Sequence, residues 1–218
     1  MDPRTHAFYA RHAEQLQPDS EARHSAMRAT VAQALTPGQT VLDVGAGAGR
    51  DVAAMQELGL DAYGVEPHAG MRERALALHP GLAGRLADAG LPALGRPFAD
   101  RCPAGFDAVV CSAVLMHLTP AELPRALAAL VQQLRPGAGT LLLSLPQLDA
   151  ERLRGDQDPD GRNFHNHEPA AVVQMLAAWQ LRLSQQSLSD VVWERTGTRW
   201  WTGVFRRDAA PPLTPTGA

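Results

Sequence analysis

Lysine is absent from this sequence of 218 residues, so all 20 basic residues are arginine. This absence excludes Schiff-base catalysis, which uses an amine side chain, and the P-loop type of phosphate site, which needs a lysine. The 23 acidic residues outnumber the basic ones, and the formal net charge is −3. The chain therefore has no excess of positive charge for neutralising phosphates. We expect no extensive nucleic-acid binding and favour a small-molecule substrate.

Cysteine is scarce, and long apolar stretches are missing. Cys102 and Cys111 are the only cysteines, and Cys111 falls in an apolar run typical of a buried strand, so a disulfide framework is not expected. No uncharged apolar stretch reaches the roughly 18 residues that a membrane helix needs. The first residues also lack the basic and apolar segments of a secretion signal. These absences favour a cytoplasmic protein without membrane association, either a monomer or a homodimer.

The chain is long enough for one α/β domain with a well-filled core. Short apolar runs alternate with segments of helical period from residue 40 to residue 145, as in a parallel sheet with helices on both faces. Strands are predicted at residues 41–44, 62–65, 85–87, 107–113 and 140–145. The helices between them are predicted at residues 52–58, 69–78 and 119–134.

The helix before the fifth strand has the clearest boundaries. Thr119, Pro120 and Glu122 stand where the N-cap, N1 and N3 positions are expected. Leucines then recur at helical spacing up to Leu134, and the Arg-Pro-Gly triplet at 135–137 predicts the end of the helix.

The pattern changes after residue 146. Residues 149–166 are charged and contain glycine, which predicts a long loop over the carboxyl ends of the strands, where substrate contacts are expected. A helix is predicted at 168–179. Residues 181–193 and 198–205 are then expected to pair as an antiparallel hairpin. Before the sheet, residues 6–16 and 21–35 are predicted to be helical and to cover the cofactor.

A glycine-rich turn, Asp43-Val44-Gly45-Ala46-Gly47-Ala48-Gly49, is the strongest chemical signal. Glycines between a strand and a helix let a nucleoside-type ligand approach the backbone at the sheet edge. Dinucleotide-binding proteins usually place the third glycine one residue later, where this chain has Arg50, so the spacing argues against NAD and FAD. The alternative is a tight strand-to-helix turn that holds no ligand.

Acidic residues follow the next two predicted strands. Glu66 lies about twenty residues after the glycine turn, at the strand end where a carboxylate accepts hydrogen bonds from ribose hydroxyls. Asp88 ends the weakly marked third strand in the same way. Solvated surface charge is the alternative for each of them.

Four ordered blocks of the sequence resemble class I S-adenosylmethionine-dependent methyltransferases. They read VLDVGAGAGR, YGVEP, FDAVVCSAVLMHL and LRPGAGT. The resemblance implies a Rossmann-like, doubly wound, seven-stranded, mostly parallel α/β sheet that ends in an antiparallel hairpin and has helices on both faces. The chain is accordingly divided into a helical cap at 1–39, a methyltransferase domain at 40–207 and a tail at 208–218, whose proline-rich composition predicts disorder. After residue 145 the chain resembles the small-molecule branch, with Asp-Gly-Arg-x-Phe at 160–164.

The same resemblance implies that S-adenosylmethionine is the cofactor and indicates which residues hold it. The glycines of the turn would border its methionine half, Glu66 its ribose, and Asp88 with Ala89 its adenine, while Ser112 and Ala113 would line the methyl-donor pocket. Tyr9 occupies an N-terminal position that closes over the cofactor in similar enzymes. The full predicted set is Tyr9, Asp43, Gly45, Ala46, Gly47, Gly49, Glu66, Pro67, Met71, Asp88, Ala89, Ser112 and Ala113.

Transfer of an activated methyl group mostly requires a positioned, desolvated acceptor, so a strong base is optional. For a hydroxyl acceptor, the natural proton acceptors are the histidines expected at the strand ends: His117, His165 and His167. Each has a packing or capping role as its alternative. His165 and His167 are too few ligands for a metal site, so no metal is expected.

Two functional hypotheses follow from these residues. The first is a methyltransferase acting on an oxygen, nitrogen or carbon atom of a small metabolite. The second is a catalytically silent S-adenosylmethionine-binding partner or sensor protein. An NAD-dependent oxidoreductase is disfavoured by Arg50 and by the absence of lysine, which excludes a Tyr-x-x-x-Lys pair.

Overall fold

A computed structural model describes residues 2–16, 26–189 and 198–207 of the chain. Seven strands form one sheet in the order β3-β2-β1-β4-β5-β7-β6. The strands are β1 (Thr40–Val44), β2 (Asp61–Val65), β3 (Leu86–Ala87), β4 (Ala108–Ser112), β5 (Thr140–Leu148), β6 (Leu181–Ser189) and β7 (Thr198–Arg207).

The strand directions match the expected doubly wound fold. The first five strands are parallel, with Val41 of β1 paired to Ala62 of β2 and to Ala108 of β4. Strand β7 runs antiparallel between β5 and β6, which confirms the C-terminal hairpin. The turn of this hairpin and the predicted tail at 208–218 lie outside the described residues.

Within the described residues the helices are α1 (Pro3–Gln15), α2 (Ala26–Ala34), α3 (Arg50–Glu57), α4 (Ala69–Leu78), α5 (Leu123–Val131) and α6 (Pro169–Ala177). Helix α1 begins where the Asp2 side chain accepts the backbone N–H groups of Arg4 and Thr5, at 3.0 and 3.1 Å, and Pro3 occupies the first turn. None of the described helices is both long and apolar enough to cross a membrane.

Both faces of the sheet are buried, because successive residues of a strand point to opposite sides. On one face, Leu42, Val109 and Leu141 pack in the cluster that also contains the apolar residues of α5 and α6. On the other face, Val41 and Val110 pack against α2 and α3. The sheet is thus covered from both sides, and its carboxyl-end edge remains as the place for a site.

The two N-terminal helices have different positions, although both were expected to cover the cofactor. Helix α2 presents Met27 and Val31 to the sheet face beside α3, because its apolar residues recur on one side at helical spacing. Helix α1 packs instead on α4, near the glycine turn. Only α1 is therefore placed to act as a cap.

Helix α5 begins at Leu123, later than the Thr119 N-cap predicted from the sequence. Pro124 has no backbone N–H and fits best in the first turn of a helix, which places the start at Leu123. The Glu122 carboxylate still accepts the N–H and the hydroxyl of Thr119, at 2.9 and 2.8 Å, so the predicted capping interaction is present one turn before the helix.

Candidate functional site

The glycine turn connects β1 to α3 at the carboxyl edge of the sheet. The backbone N–H groups of Gly45 and Ala46 donate to the carbonyl of Val65 at 2.9 and 3.0 Å, which ties the turn to the end of β2. Gly45 has a φ of +82°, and a Cβ atom there would overlap the side chain of Val114. Glycine is thus required at this position both by backbone conformation and by the close approach of the loop after β4.

Glu66 follows β2 directly and is buried beside this turn. Its carboxylate accepts the backbone N–H of Gly47 at 3.1 Å and that of His68 at 2.8 Å. Burial raises the pKa of Glu66, and these two hydrogen bonds partly oppose the rise. Each carboxylate oxygen accepts more than one hydrogen bond, so Glu66 retains the capacity to bind ligand hydroxyls.

Asp43, the penultimate residue of β1, is only 3% exposed. Burial raises its pKa well above the ordinary range, and repulsion from Asp51 and Glu66 adds to the rise. The guanidinium of Arg50 opposes this rise. A carboxylate with so little exposed surface is costly to keep charged, so this position fits a ligand that brings a cationic or hydrogen-bond-donating group.

Asp88 lies after the short strand β3, where the sequence placed it. Arg72 of α4 bridges this region: its guanidinium donates to the carbonyl oxygen of Glu66 at 2.6 Å and to the Asp88 carboxylate at 3.0 Å. The Asp88 side chain is 68% exposed, and Ala89 packs against the main core. No sequence pattern indicated Arg72, because an arginine on a helix carries no signal of its partner.

Helix α1, called the cap helix from here on, contacts the glycine turn through a small apolar cluster. Tyr9 packs with Ala48 of the turn and with Met71, which is buried in the first turn of α4. Pro67 lies just before α4, and a Cβ at Gly90 would approach its ring at 3.0 Å. The predicted residues of the turn, of α4 and of the cap helix therefore surround one region of the sheet edge.

The end of β4 has an unusual backbone. Ala113 adopts a φ of +57°, which costs free energy for any residue other than glycine. Its N–H donates to the Ser144 hydroxyl of β5 at 3.1 Å, and Ser144 also hydrogen-bonds the Ser112 hydroxyl at 2.9 Å. Ser144, which the sequence did not indicate, thus stabilises the strained turn that presents Ser112, Ala113 and Val114.

Tyr9 and His117 meet at this edge. His117 closes a 3₁₀ turn at Leu115–His117, after β4, and its Nε2 atom lies 3.0 Å from the Tyr9 hydroxyl. Its Nδ1 atom lies 2.7 Å from the carbonyl oxygen of Asn163, which can only accept, so Nδ1 carries the proton. Nε2 then accepts the Tyr9 hydroxyl proton. Burial lowers the pKa of His117 to about 4, which keeps the ring neutral.

Asn163 joins three parts of the site. Besides binding His117 Nδ1, it donates its side-chain amide to the His117 carbonyl at 2.9 Å and its backbone N–H to the Thr5 hydroxyl at 2.9 Å. In the sequence, Asn163 is only the variable residue of the Asp-Gly-Arg-x-Phe stretch, which gives no sign of this role. Asn163 thereby links the predicted substrate loop to the cap helix and to the histidine turn.

The other two candidate histidines lie in the same loop, with their ring centroids 6.2 Å apart. His167 Nε2 donates to the carbonyls of Leu115 and Leu118, at 2.9 and 3.0 Å, and so braces the turn that carries His117. His165 Nε2 is buried and finds no hydrogen-bond partner among the described residues. The part of the chain that the structure describes contains no group of three or more His, Cys, Asp or Glu side chains able to hold a metal ion.

Charged contacts fasten the substrate loop to the cap helix. Arg4 forms an ion pair with Asp156 at 2.9 Å, and the guanidinium of Arg162 lies over the Phe8 ring at 4.7 Å. Arg162 is in turn held by the buried carboxylate of Asp158. The loop predicted to contact substrate therefore lies over the carboxyl edge of the sheet, together with the cap helix.

Comparison with known proteins identifies the family. The model of a family described as a methyltransferase domain matches residues 14–206, which is most of the chain. The chain belongs to this methyltransferase-domain family. The resemblance that the sequence blocks indicated is thereby confirmed.

Two curated relatives align with about half of the chain. An uncharacterized methyltransferase of Geobacillus kaustophilus is 32% identical over 130 residues, which cover 59% of this chain and 58% of that protein. A protein-L-isoaspartate O-methyltransferase of Methylorubrum populi is 39% identical over 126 residues, which cover 56% of this chain and 57% of that protein. The chain thus spans less than two thirds of the length of either relative.

A solved structure supports the fold over nearly the whole chain. The 1,6-didemethyltoxoflavin-N1-methyltransferase of Burkholderia thailandensis, solved with 1,6-didemethyltoxoflavin and S-adenosylhomocysteine, superposes with a TM-score of 0.68 at 21% identity. The match covers 95% of this chain and 91% of that protein. The Rossmann-like methyltransferase fold expected from the sequence is confirmed.

Proposed function

We propose that this chain is an S-adenosylmethionine-dependent methyltransferase that moves the methyl group to an oxygen, nitrogen or carbon atom of a small metabolite. The observation that carries the proposal is the pair of buried carboxylates at the glycine turn. Glu66 is fixed there by the backbone N–H of Gly47, and Asp43 is only 3% exposed. Together they provide acceptors for ribose hydroxyls and for an amino group at one edge of the sheet.

When bound, S-adenosylmethionine would supply a methyl group already activated on a sulfonium. The residues of this chain would orient and enclose the two reactants, since desolvation and alignment contribute most to such a displacement. Glu66, Asp43 and the glycine turn would hold the cofactor, and Met71 and Tyr9 would cover it. The turn after β4 and the loop at 149–166 would hold the acceptor.

The small-metabolite assignment is supported by how this edge is covered. The cap helix and the loop at 149–166 are held together mainly by the buried hydrogen bond from the Asn163 backbone N–H to the Thr5 hydroxyl, with the exposed Arg4–Asp156 pair adding little, so access to the edge is restricted. With a net charge of −3, the chain also lacks an excess of basic residues for a nucleic-acid acceptor.

The test is incubation of purified protein with methyl-labelled S-adenosylmethionine and fractionated metabolite pools, followed by chromatography of S-adenosylhomocysteine and of labelled products. A label that appears in a small product and is lost in Glu66→Ala supports the proposal. Glu57→Ala is the matched control, because Glu57 is an exposed glutamate of α3. Cofactor binding without label transfer to any pool would favour a silent binding protein, and transfer only to added protein would contradict the small-metabolite assignment.

A further inference from the structure

His6 of the cap helix is in contact with His68, the residue before α4. Their ring centroids lie 4.5 Å apart, and the ring planes are tilted by 46°. His6 is exposed, whereas His68 is only 6% exposed. The cap helix therefore rests on the start of α4 through this ring contact as well as through the apolar cluster around Met71. The proposed methyl transfer uses neither histidine.

His68 is the N-cap residue of α4. Its Nδ1 atom accepts the backbone N–H of Met71 at 3.3 Å, and its own backbone N–H donates to the Glu66 carboxylate at 2.8 Å. A ring nitrogen that accepts carries no proton, so Nε2 carries the single proton of the neutral ring. His68 can cap α4 only while its ring is neutral, because a proton on Nδ1 would face the N–H group of Met71.

The surroundings of His68 oppose a positive charge on its ring. Burial lowers the pKa of His68, and the charges of His6 and Arg72 lower it further. Asp88 pairs with Arg72 at 3.0 Å and offsets part of that charge. The Glu66 carboxylate meets His68 at its backbone N–H. The first turn of a helix also disfavours a cation, because its N–H groups carry partial positive charge.

The direction of the pH effect follows from this lowered pKa. When the cap helix separates from α4, the His68 ring becomes solvated and its pKa returns toward the ordinary imidazole value. The open state then takes up a proton at a pH where the closed state does not. The closed state is therefore fully favoured above about pH 6.5 and loses this advantage as the pH falls further.

We propose that His68 is a pH-sensitive latch of the cofactor site, which holds the cap helix on α4 when neutral and releases it when protonated. The link to the cofactor rests on the proposed function, because Met71 and Tyr9 are the residues assigned to cover the cofactor. The latch holds the Met71 N–H, and Tyr9 packs with Met71. Acid should therefore weaken cofactor retention.

The other histidine that contacts the cap helix does not supply this effect. His117 lies 3.0 Å from the Tyr9 hydroxyl, but its pKa is lowered to about 4, so its ring stays mostly neutral at pH 5.5. A comparison of pH 7.5 with pH 5.5 therefore reports on His68 and leaves the His117 contact intact.

The first test reads the state of the His68 ring directly. Two-bond ¹H–¹⁵N spectra of histidine-labelled wild type report the tautomer, and the signal of His68 is assigned by its loss in His68→Asn. At pH 7.5 we expect the proton on Nε2. A proton on Nδ1 at this pH would overturn the latch, because that ring could not accept the Met71 N–H.

The second test measures whether the cap helix opens. Hydrogen exchange in α1 of ligand-free protein is compared at pH 7.5 and 5.5 after correction for the chemical exchange rate. Wild type should lose protection at least about fivefold at pH 5.5, on the scale of a lost N-cap hydrogen bond. His68→Asn keeps an N-cap acceptor that does not titrate, so its protection should change less than about twofold. His12→Gln is the matched control and should behave like wild type, because His12 is a histidine of the same helix that contacts Phe8 and Tyr9.

Two results of the exchange experiment would overturn the latch. One is equal protection of α1 at both pH values in wild type. The other is a loss of protection that persists in His68→Asn, which would assign the pH dependence to another group.

Calorimetry of S-adenosylmethionine at the same two pH values separates the latch from the proposed function. The raised pKa values of Asp43 and Glu66 add a pH dependence that wild type and His68→Asn share. Beyond that shared part, the Kd of wild type should rise at least about threefold more than that of His68→Asn between pH 7.5 and 5.5. An equal rise in both proteins would overturn the coupling of the latch to the cofactor. No binding by wild type at pH 7.5 would instead overturn the proposed function, while the exchange experiment would still decide whether the cap helix is latched.

Discussion

The carboxylate of Glu66 accepts the backbone N–H of Gly47 at 3.1 Å, which joins the acidic end of β2 to the glycine turn after β1. The two residues are 19 positions apart in the chain, yet one hydrogen bond fixes their relative position. The consequence is a preorganised carboxylate, because the group is already oriented before a ligand arrives. Its neighbour Asp43 is also buried, and the pKa of that carboxyl is raised by burial and by repulsion from Asp51 and Glu66.

Asp43→Asn should stabilise the ligand-free protein by about 1–2 kcal/mol at pH 7 and weaken S-adenosylmethionine binding at least tenfold. The substitution removes a buried charge that repels Asp51 and Glu66 while keeping the side-chain size. Because burial raises the pKa of Asp43 in the folded state, that state takes up a proton before the unfolded state as the pH falls. The destabilisation of wild type by Asp43 therefore shrinks toward acid.

Urea unfolding of wild type and Asp43→Asn at pH 5, 6, 7 and 8 measures this difference. The stability gap should be largest at pH 7–8 and narrow toward pH 5. A gap that stays constant with pH, or a variant less stable than wild type at pH 8, would contradict the raised pKa of the buried Asp43 carboxyl.

Gly45→Ala should destabilise the protein by about 3 kcal/mol, because it combines a strained backbone with overlap of the new Cβ and the Val114 side chain. Gly84→Ala is the matched control: Gly84 has a φ of +75° with nothing within 4 Å of its Cβ position, and it should cost only about 1 kcal/mol. Adding Val114→Ala to Gly45→Ala should restore part of the loss. Equal costs in Gly45→Ala and Gly84→Ala would show that the loop after β4 does not approach the turn.

Thr5→Ala should loosen the cap helix. The Thr5 hydroxyl is fully buried and accepts the N–H of Asn163, so its removal leaves that donor unsatisfied at a cost of about 1–3 kcal/mol. Hydrogen exchange should become faster in α1 and in the loop at 149–166, whereas Thr5→Ser should stay close to wild type. Arg4→Ala removes an exposed ion pair and should change exchange little. Unchanged protection in Thr5→Ala would contradict the coupling of cap helix and loop.

Local sequence patterns were sufficient to predict the sheet and much of the cofactor side. The alternation of apolar runs predicted where the parallel strands lie, the family resemblance implied the seven-stranded sheet, and the spacing from the glycine turn indicated Glu66. The start of α5 was predicted less well, because two local signals compete there. Thr119 has the residue type and spacing of an N-cap, but Pro124 fits the first turn of the helix and shifts the helix start to Leu123.

The acceptor side depends on contacts between distant residues, which no local pattern encodes. Tyr9 and His117 were predicted separately, for different roles, and their contact joins positions 108 residues apart. Asn163 accepts the Nδ1 proton of His117, 46 positions away, through its backbone carbonyl. Its backbone N–H donates to the Thr5 hydroxyl, 158 positions away. A backbone acceptor has no residue-specific signature, so its role became visible only in three dimensions.

Calorimetric titration of S-adenosylmethionine and S-adenosylhomocysteine into the purified chain measures whether the glycine turn and Glu66 hold this cofactor, with NAD as the ligand control and Glu57→Ala as the variant control. We expect saturable binding of both compounds to wild type and to Glu57→Ala, and binding at least tenfold weaker in Glu66→Ala, which loses the carboxylate at the turn. No binding by wild type, a preference for NAD, or equal affinity in Glu66→Ala would contradict it.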